Sequence, residues 1–155
     1  MKNKNSDLFL TKEGLEQLKK ELKELSEIKR PAIIRKIKEA REMGDISENS
    51  TYDAAREEQA FVEGRIEELE GIIKNAKVSK DTPKDTIAVG CRVTVHIDGS
   101  EEEFHIVGAP EADPTKRKIS HESPLGQALL GKKVGDKIEV EAPVGKLIYT
   151  ILKIH

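Results

Sequence analysis

The chain has 155 residues, of which 36% are charged and 3% aromatic, with 27 Lys and Arg against 29 Asp and Glu. So few aromatics among so many charges argue against an enzyme with an enclosed pocket and for long exposed helices, whose surface is large relative to the core they bury. Cut at Val78, the chain carries 16 basic against 17 acidic residues before and 11 against 12 after, so neither part has the positive bias of an autonomous, sequence-specific DNA binder.

The polar stretch Met1 to Asp7 reads as a lead-in, with no apolar run resembling a signal peptide. Thr11 is a candidate N-cap, and behind it Leu15, Leu18, Leu22 and Leu25 recur at alternating spacings of three and four, one seam of a coiled coil. Pro31 lacks a backbone donor, which predicts a bend near Ile28 to Pro31. The pattern resumes in a shifted phase at Ile33, Ile34, Ile37 and Ala40, and Gly44 is a good stop. A second helix keeps strict three-four alternation through Tyr52, Ala55, Gln59, Val62, Ile66, Leu69, Ile73 and Ala76, with Gln59 the only polar member. Only a few residues around Gly44 to Ser47 separate the two seams, so the helices should pair as an antiparallel hairpin. At ~1.5 Å per residue each arm would be on the order of 45 Å long, with its tip well beyond any globular body.

Residues 79–86 are polar, hold a proline and lack periodicity, which predicts a linker. Beyond them the period becomes two: Val93, Val95 and Ile97 alternate with polar residues, and Asp98-Gly99 signals a hairpin turn into Phe104 to Val107. Ser123-Pro124 opens a short helix through Leu130, closed by Gly131, and strands follow at Lys137 to Glu141 and Leu147 to Ile154. The expected fold is α+β, with a coiled-coil hairpin over 1–78, a linker over 79–86 and a small domain of mostly antiparallel strands around one helix over 87–155. The lone Cys91 cannot form an internal disulfide, and no apolar run nears the ~18 residues of a membrane span, so the chain reads as soluble and cytoplasmic. Cys91 itself reads as a small buried hydrophobe at a strand start.

Chemistry concentrates at the turn between the arms, Gly44-Asp45-Ile46-Ser47-Glu48-Asn49. Asp45 and Glu48 have the spacing of a capping box, and carboxylates favour a helix N-terminus. The same two groups at an exposed tip can also hold a hard divalent cation such as Mg2+, weakly unless another protein adds ligands. Spacing alone leaves both readings open. His96 and His105 fall on neighbouring strands without further ligands at metal spacing, and read as solvent-facing.

That turn, with Tyr52, Ala54-Ala55-Arg56-Glu57 and Phe61-Val62-Glu63-Gly64-Arg65-Ile66, resembles the signature of bacterial Gre transcript cleavage factors of the GreA type. The resemblance extends to Arg30-Pro31 and to Ser123-Pro124 followed by Leu129-Leu130-Gly131-Lys132, and so covers essentially the whole chain. It implies a transcription elongation factor, not an enzyme by itself, whose coiled coil enters the secondary channel of RNA polymerase. There the tip carboxylates, here Asp45 and Glu48, assist the polymerase's own Mg2+-dependent cleavage of backtracked RNA. The Mg2+ would be held jointly with polymerase. Thr51 departs from the pattern, standing where many relatives are acidic. The resemblance also makes Arg56 the candidate for contact with RNA or the channel wall; Arg41, just before the tip on the other arm, and Asn49, able to position a water or a phosphate, join it by position, and otherwise the two arginines read as solvated surface charge and Asn49 as a helix-start hydrogen-bonding residue. The second domain resembles the FK506-binding-protein-like domain of the family, which implies docking on the polymerase rim, with Ser123, Pro124 and Leu125 as candidate contacts. A short helix covering the sheet would look the same. Prolyl isomerase activity is not expected, since this half holds only Phe104 and Tyr149 as aromatics. The rival reading is a channel-binding inhibitor without cleavage activity, and the isolated chain is expected to be a monomer.

Overall fold

The computed structural model describes residues 8–44, 50–79 and 85–155. The protein divides into two compact units, one of Leu15–Asn75 and one joining Met1–Gly14 to Ala76–His155.

The first unit is the helical hairpin. Its leading arm runs from α1 (Lys12–Glu24) through a π-helical turn (Leu25–Lys29) into α2 (Arg30–Glu42), and α3 (Ser50–Asn75) packs against it. Leu18, Leu25, Ile33, Ile37 and Ala40 are buried on one arm, and Ala55, Val62, Ile66 and Leu69 on the other. On the first arm the buried step from Leu18 to Leu25 is seven residues, but the step from Leu25 to Ile33 is eight. The π turn absorbs the extra residue: the Arg30 N–H donates to the Leu25 carbonyl, five residues back. It also accommodates Pro31 at the start of α2, since a widened turn relieves the carbonyl that the ring would strike. The expected interruption is therefore a π turn, and helix continues on both sides of it. Ile34, expected in the seam, is 53% exposed because Ile33 and Ile37 already fill the buried face.

Ion pairs lock the register of the arms. Arg30 engages Glu63 through two hydrogen bonds of 2.8 Å, Arg65 grips both oxygens of Glu21 and also reaches Glu68, and Lys36 meets Glu58 at 3.0 Å. The hydrogen bonds donated by Arg30 hold the Glu63 carboxyl below its ordinary range, and those that Arg65 donates to Glu21 and Glu68 raise its own guanidinium. Two-point arginine–carboxylate contacts specify geometry better than a single lysine contact does.

The second unit is built on a five-stranded sheet. The strands are β3 (Arg92–Ile97), β4 (Ser100–Val107), β5 (Lys118–Ser120), β6 (Lys137–Ala142) and β7 (Gly145–Ile154), in spatial order β5-β4-β3-β7-β6. All neighbours are antiparallel except β4 and β5. Asp98 and Gly99 both take positive φ, 48° and 81°, which makes the tight turn that joins β3 to β4 in register. Ile87, Val93, Val95, Ile106, Ile138, Tyr149 and Ile151 form the core with Leu129 from α4 (Pro124–Leu129). The α+β expectation holds, with β5 added to the strands read from the sequence.

The start of the chain belongs to this unit. A two-stranded parallel sheet joins β1 (Phe9–Leu10) to β2 (Lys77–Val78), so the second arm ends as helix at Asn75, and residues 77 and 78 are strand. The expected boundary at 78 follows chain order, whereas the pairing of residues 9–10 with 77–78 groups both segments with the sheet. Thr11 is the N-cap of α1, accepting from the Gly14 N–H at 3.0 Å, and it is itself held by Glu111. The Thr11 N–H and hydroxyl donate to the two oxygens of that carboxylate at 2.8 and 2.5 Å. A Cβ at Gly108 would lie 1.5 Å from the Phe9 carbonyl oxygen, a backbone atom that cannot rotate away. Gly108→Ala is therefore expected to dislodge β1 and destabilise this unit by about 1–3 kcal/mol, the usual cost of overpacking. Thermal unfolding of the purified variant checks it, and an unchanged midpoint would count against this close approach.

Candidate functional site at the hairpin tip

Asp45, Glu48 and Asn49, the expected carboxylate pair and its neighbour, lie outside the described residues, as do Ile46 and Ser47. The residues that frame them are described. Leaving α2, Met43 donates its N–H to the Ala40 carbonyl at 3.3 Å and Gly44 takes φ +120°, a conformation that costs glycine little. On the far side helix is established from Ser50.

Arg41 lies across the arms with its guanidinium carbon 5.9 Å from the centroid of the Tyr52 ring, within cation–π range. Tyr52 is half-buried, so it serves packing near the tip, as its seam position predicts. Arg56 is exposed and donates to Gln59 Oε1 at 3.0 Å, which gives the one polar seam residue its hydrogen bond. Arg41 and Arg56 share an open groove between the arms, together with Lys38, Ile34 and Glu42. The structure thus brings together the two arginines singled out from sequence. Lys38 is an addition, and its signal was the three-residue step to Arg41 on one helix face. Three cations against the one carboxylate of Glu42 leave the groove net positive, which suits a phosphate-bearing chain.

The second candidate region is the Ser123 segment. The Ser123 hydroxyl caps α4, accepting from the Gly126 N–H at 3.0 Å and donating to the Ser120 carbonyl at 2.7 Å. Leu125 packs partly against the core, while Pro124 is exposed. Both aromatics of this half, Phe104 and Tyr149, also belong to the core and its margin. The strand histidines do not face one another: His105 is opposite Arg92, and His96 is opposite Glu101. His96 is solvent-facing, but His105 is half-buried, and burial lowers its pKa, aided by Arg92 and Lys118. Among the described residues no group of three or more His, Cys, Asp or Glu could hold a metal ion, and no helix is long and apolar enough to cross a membrane.

Residues 8–78 match the family described as Transcription elongation factor, N-terminal, and residues 82–155 match Transcription elongation factor, GreA/GreB, C-term. The chain belongs to the GreA/GreB family of transcription elongation factors. It is 52% identical to the transcription elongation factor GreA of Thermoanaerobacter pseudethanolicus, over 96% of this chain and 97% of that one. Identity to the GreA of Acetivibrio thermocellus is 48%, over 97% and 98%. Among solved structures, GreA factor homolog 1 of Thermus thermophilus is 32% identical, covering 96% of this chain and 99% of that one at a TM-score of 0.46.

Proposed function

We propose that this chain acts on RNA polymerase, entering the secondary channel hairpin-first and stimulating cleavage of backtracked RNA. The observation that carries this reading is the pair of ordered family matches spanning the chain, with Asp45 and Glu48 both present at the turn between the arms. Two carboxylates are hard oxygen donors that fit Mg2+, but too few to retain it alone, so polymerase would supply the remaining ligands. When bound, that ion would lower the pKa of its water, as one half of a two-metal site whose other metal would offset charge on the leaving oxygen. The chain's own contribution is placement: the seam and its ion pairs stiffen the arms, and Asp45 and Glu48 bring two negative charges to the cation. Arg41, Arg56 and Lys38 attract the phosphates of the displaced 3′ segment, with Asn49 offering a hydrogen bond beside them. The factor is an accessory and polymerase owns the catalytic centre. The Ser123, Pro124 and Leu125 segment is the docking contact on the rim, with exposed Pro124 as its apolar point.

The test adds the full-length protein to a purified elongation complex stalled by backtracking. Shortened nascent RNA that resumes extension is the expected product. Binding that blocks synthesis and leaves the RNA intact would assign the protein to channel-binding inhibitors instead.

A further inference from the structure

Gln59 is the one polar residue in the α3 seam, and Tyr52 the one aromatic. An apolar residue at 59 would serve the seam better. Both side chains are half-buried, and each holds an arginine of the tip groove. The Tyr52 ring lies 5.9 Å from the Arg41 guanidinium carbon, and Gln59 Oε1 accepts from Arg56 at 3.0 Å. Farther from the tip the hairpin holds its arginines differently. Arg30 is gripped by Glu63, and Arg65 by Glu21 and Glu68, carboxylates that cancel the charge they orient. A ring face and an amide oxygen orient a guanidinium and leave its charge in place. Among the described residues Arg41 and Arg56 enter no ion pair, although Glu42 lines the same groove.

We infer that Tyr52 and Gln59 are positioning residues, which fix Arg41 and Arg56 in the groove with their charge free for the phosphates of the displaced RNA segment. The inference rests on the function proposed above and names the residues that act through the two arginines. A free arginine loses much side-chain freedom when it engages a phosphate, and that loss counts against affinity. An arginine already held by a half-buried neighbour loses less. A carboxylate in place of either holder would give the same order but spend the cation on a partner within the hairpin. The seam thus gives up apolar burial at Gln59 for an oriented, uncancelled charge.

The experiment compares full-length wild type with Gln59→Met, Gln59→Glu, Tyr52→Leu and Tyr52→Phe. Each is titrated against a backtracked elongation complex and against one halted without backtracking, which has no displaced RNA segment. Each is also melted under circular dichroism. Met matches Gln in helix propensity but has no oxygen to accept the bond, so Gln59→Met should melt at or above the wild-type temperature. Its Kd for the backtracked complex should nevertheless rise about fivefold, with that for the other complex within about twofold of wild type. Tyr52→Leu should show the same selective loss, and Tyr52→Phe, which keeps the ring face, should recover most of it. Gln59→Glu keeps an acceptor but cancels the charge. It should weaken backtracked binding at least as much as Gln59→Met and flatten its salt dependence. An unchanged Kd in either Gln59→Met or Tyr52→Leu, equal losses on both complexes, or wild-type binding by Gln59→Glu would each overturn the inference and leave the proposed function standing. Wild-type protein that binds neither complex overturns the proposed function, and this inference with it.

Discussion

Replacing Asp45 with Asn, or Glu48 with Gln, is expected to leave a folded, polymerase-binding protein whose stimulation of transcript cleavage is severely reduced. Asn is about as good an N-cap as Asp, so the first change should cost no more than roughly 0.5 kcal/mol. Gln also satisfies the third position of a capping box, so the second should be equally mild. Neither amide carries the charge that holds a hard cation and acidifies its water. Losing a metal ligand in such a site should lower the rate by on the order of a hundredfold, equivalent to about 2.7 kcal/mol of barrier. If the two residues merely cap a helix, both variants should cleave at wild-type rates. The amide pair therefore separates two roles that share one geometry, which an alanine scan would confound.

Ile66→Asp should destroy the hairpin while sparing the sheet. Ile66 is 3% exposed, between Val62 and Leu69 in the α3 seam. An aspartate there loses apolar burial and brings a charge that no seam neighbour pairs, at a cost of several kcal/mol. That is a large share of the stability expected for a domain of this size. The core of Val95, Ile106 and Ile151 belongs to the other unit and contains no seam residue. Far-ultraviolet circular dichroism should show lost helix, while a separate sheet transition persists on heating. Cleavage should vanish with the hairpin. An unchanged melting profile would place the seam elsewhere.

The hairpin was legible because a coiled-coil seam writes its period over many residues, and the buried set follows that period closely. The π turn was half-legible. The eight-residue step from Leu25 to Ile33 is visible in the sequence beside Pro31, but a skipped residue can be absorbed by a bend or by a widened turn. Strands β1 and β2 were not legible, since two-residue strands carry no periodicity and their partner lies 68 residues away. The three-residue β5 hides for the same reason, entered from Arg117 at φ 55°. The clasp of Glu111 on Thr11 spans 100 residues, and nothing local marks either side chain for the other. At the site, Arg41 and Arg56 were legible as charges near the turn, but the placement of Arg41 over Tyr52 needed the pairing of the arms. Asp45 and Glu48 lie outside the described residues; their spacing left capping and cation binding both open, because a capping box has the same spacing, and only the family resemblance favoured the second.

The most direct measurement is the Mg2+ dependence of cleavage in a backtracked complex, with saturating wild-type factor, with the Asp45→Asn/Glu48→Gln double variant, and with polymerase alone. If the chain lends its carboxylates to the cation, wild type lowers the Mg2+ concentration giving half-maximal cleavage, and the double variant leaves it where polymerase alone does. Stimulation by wild type with the half-maximal Mg2+ concentration unchanged, or matched by the double variant, would contradict the account.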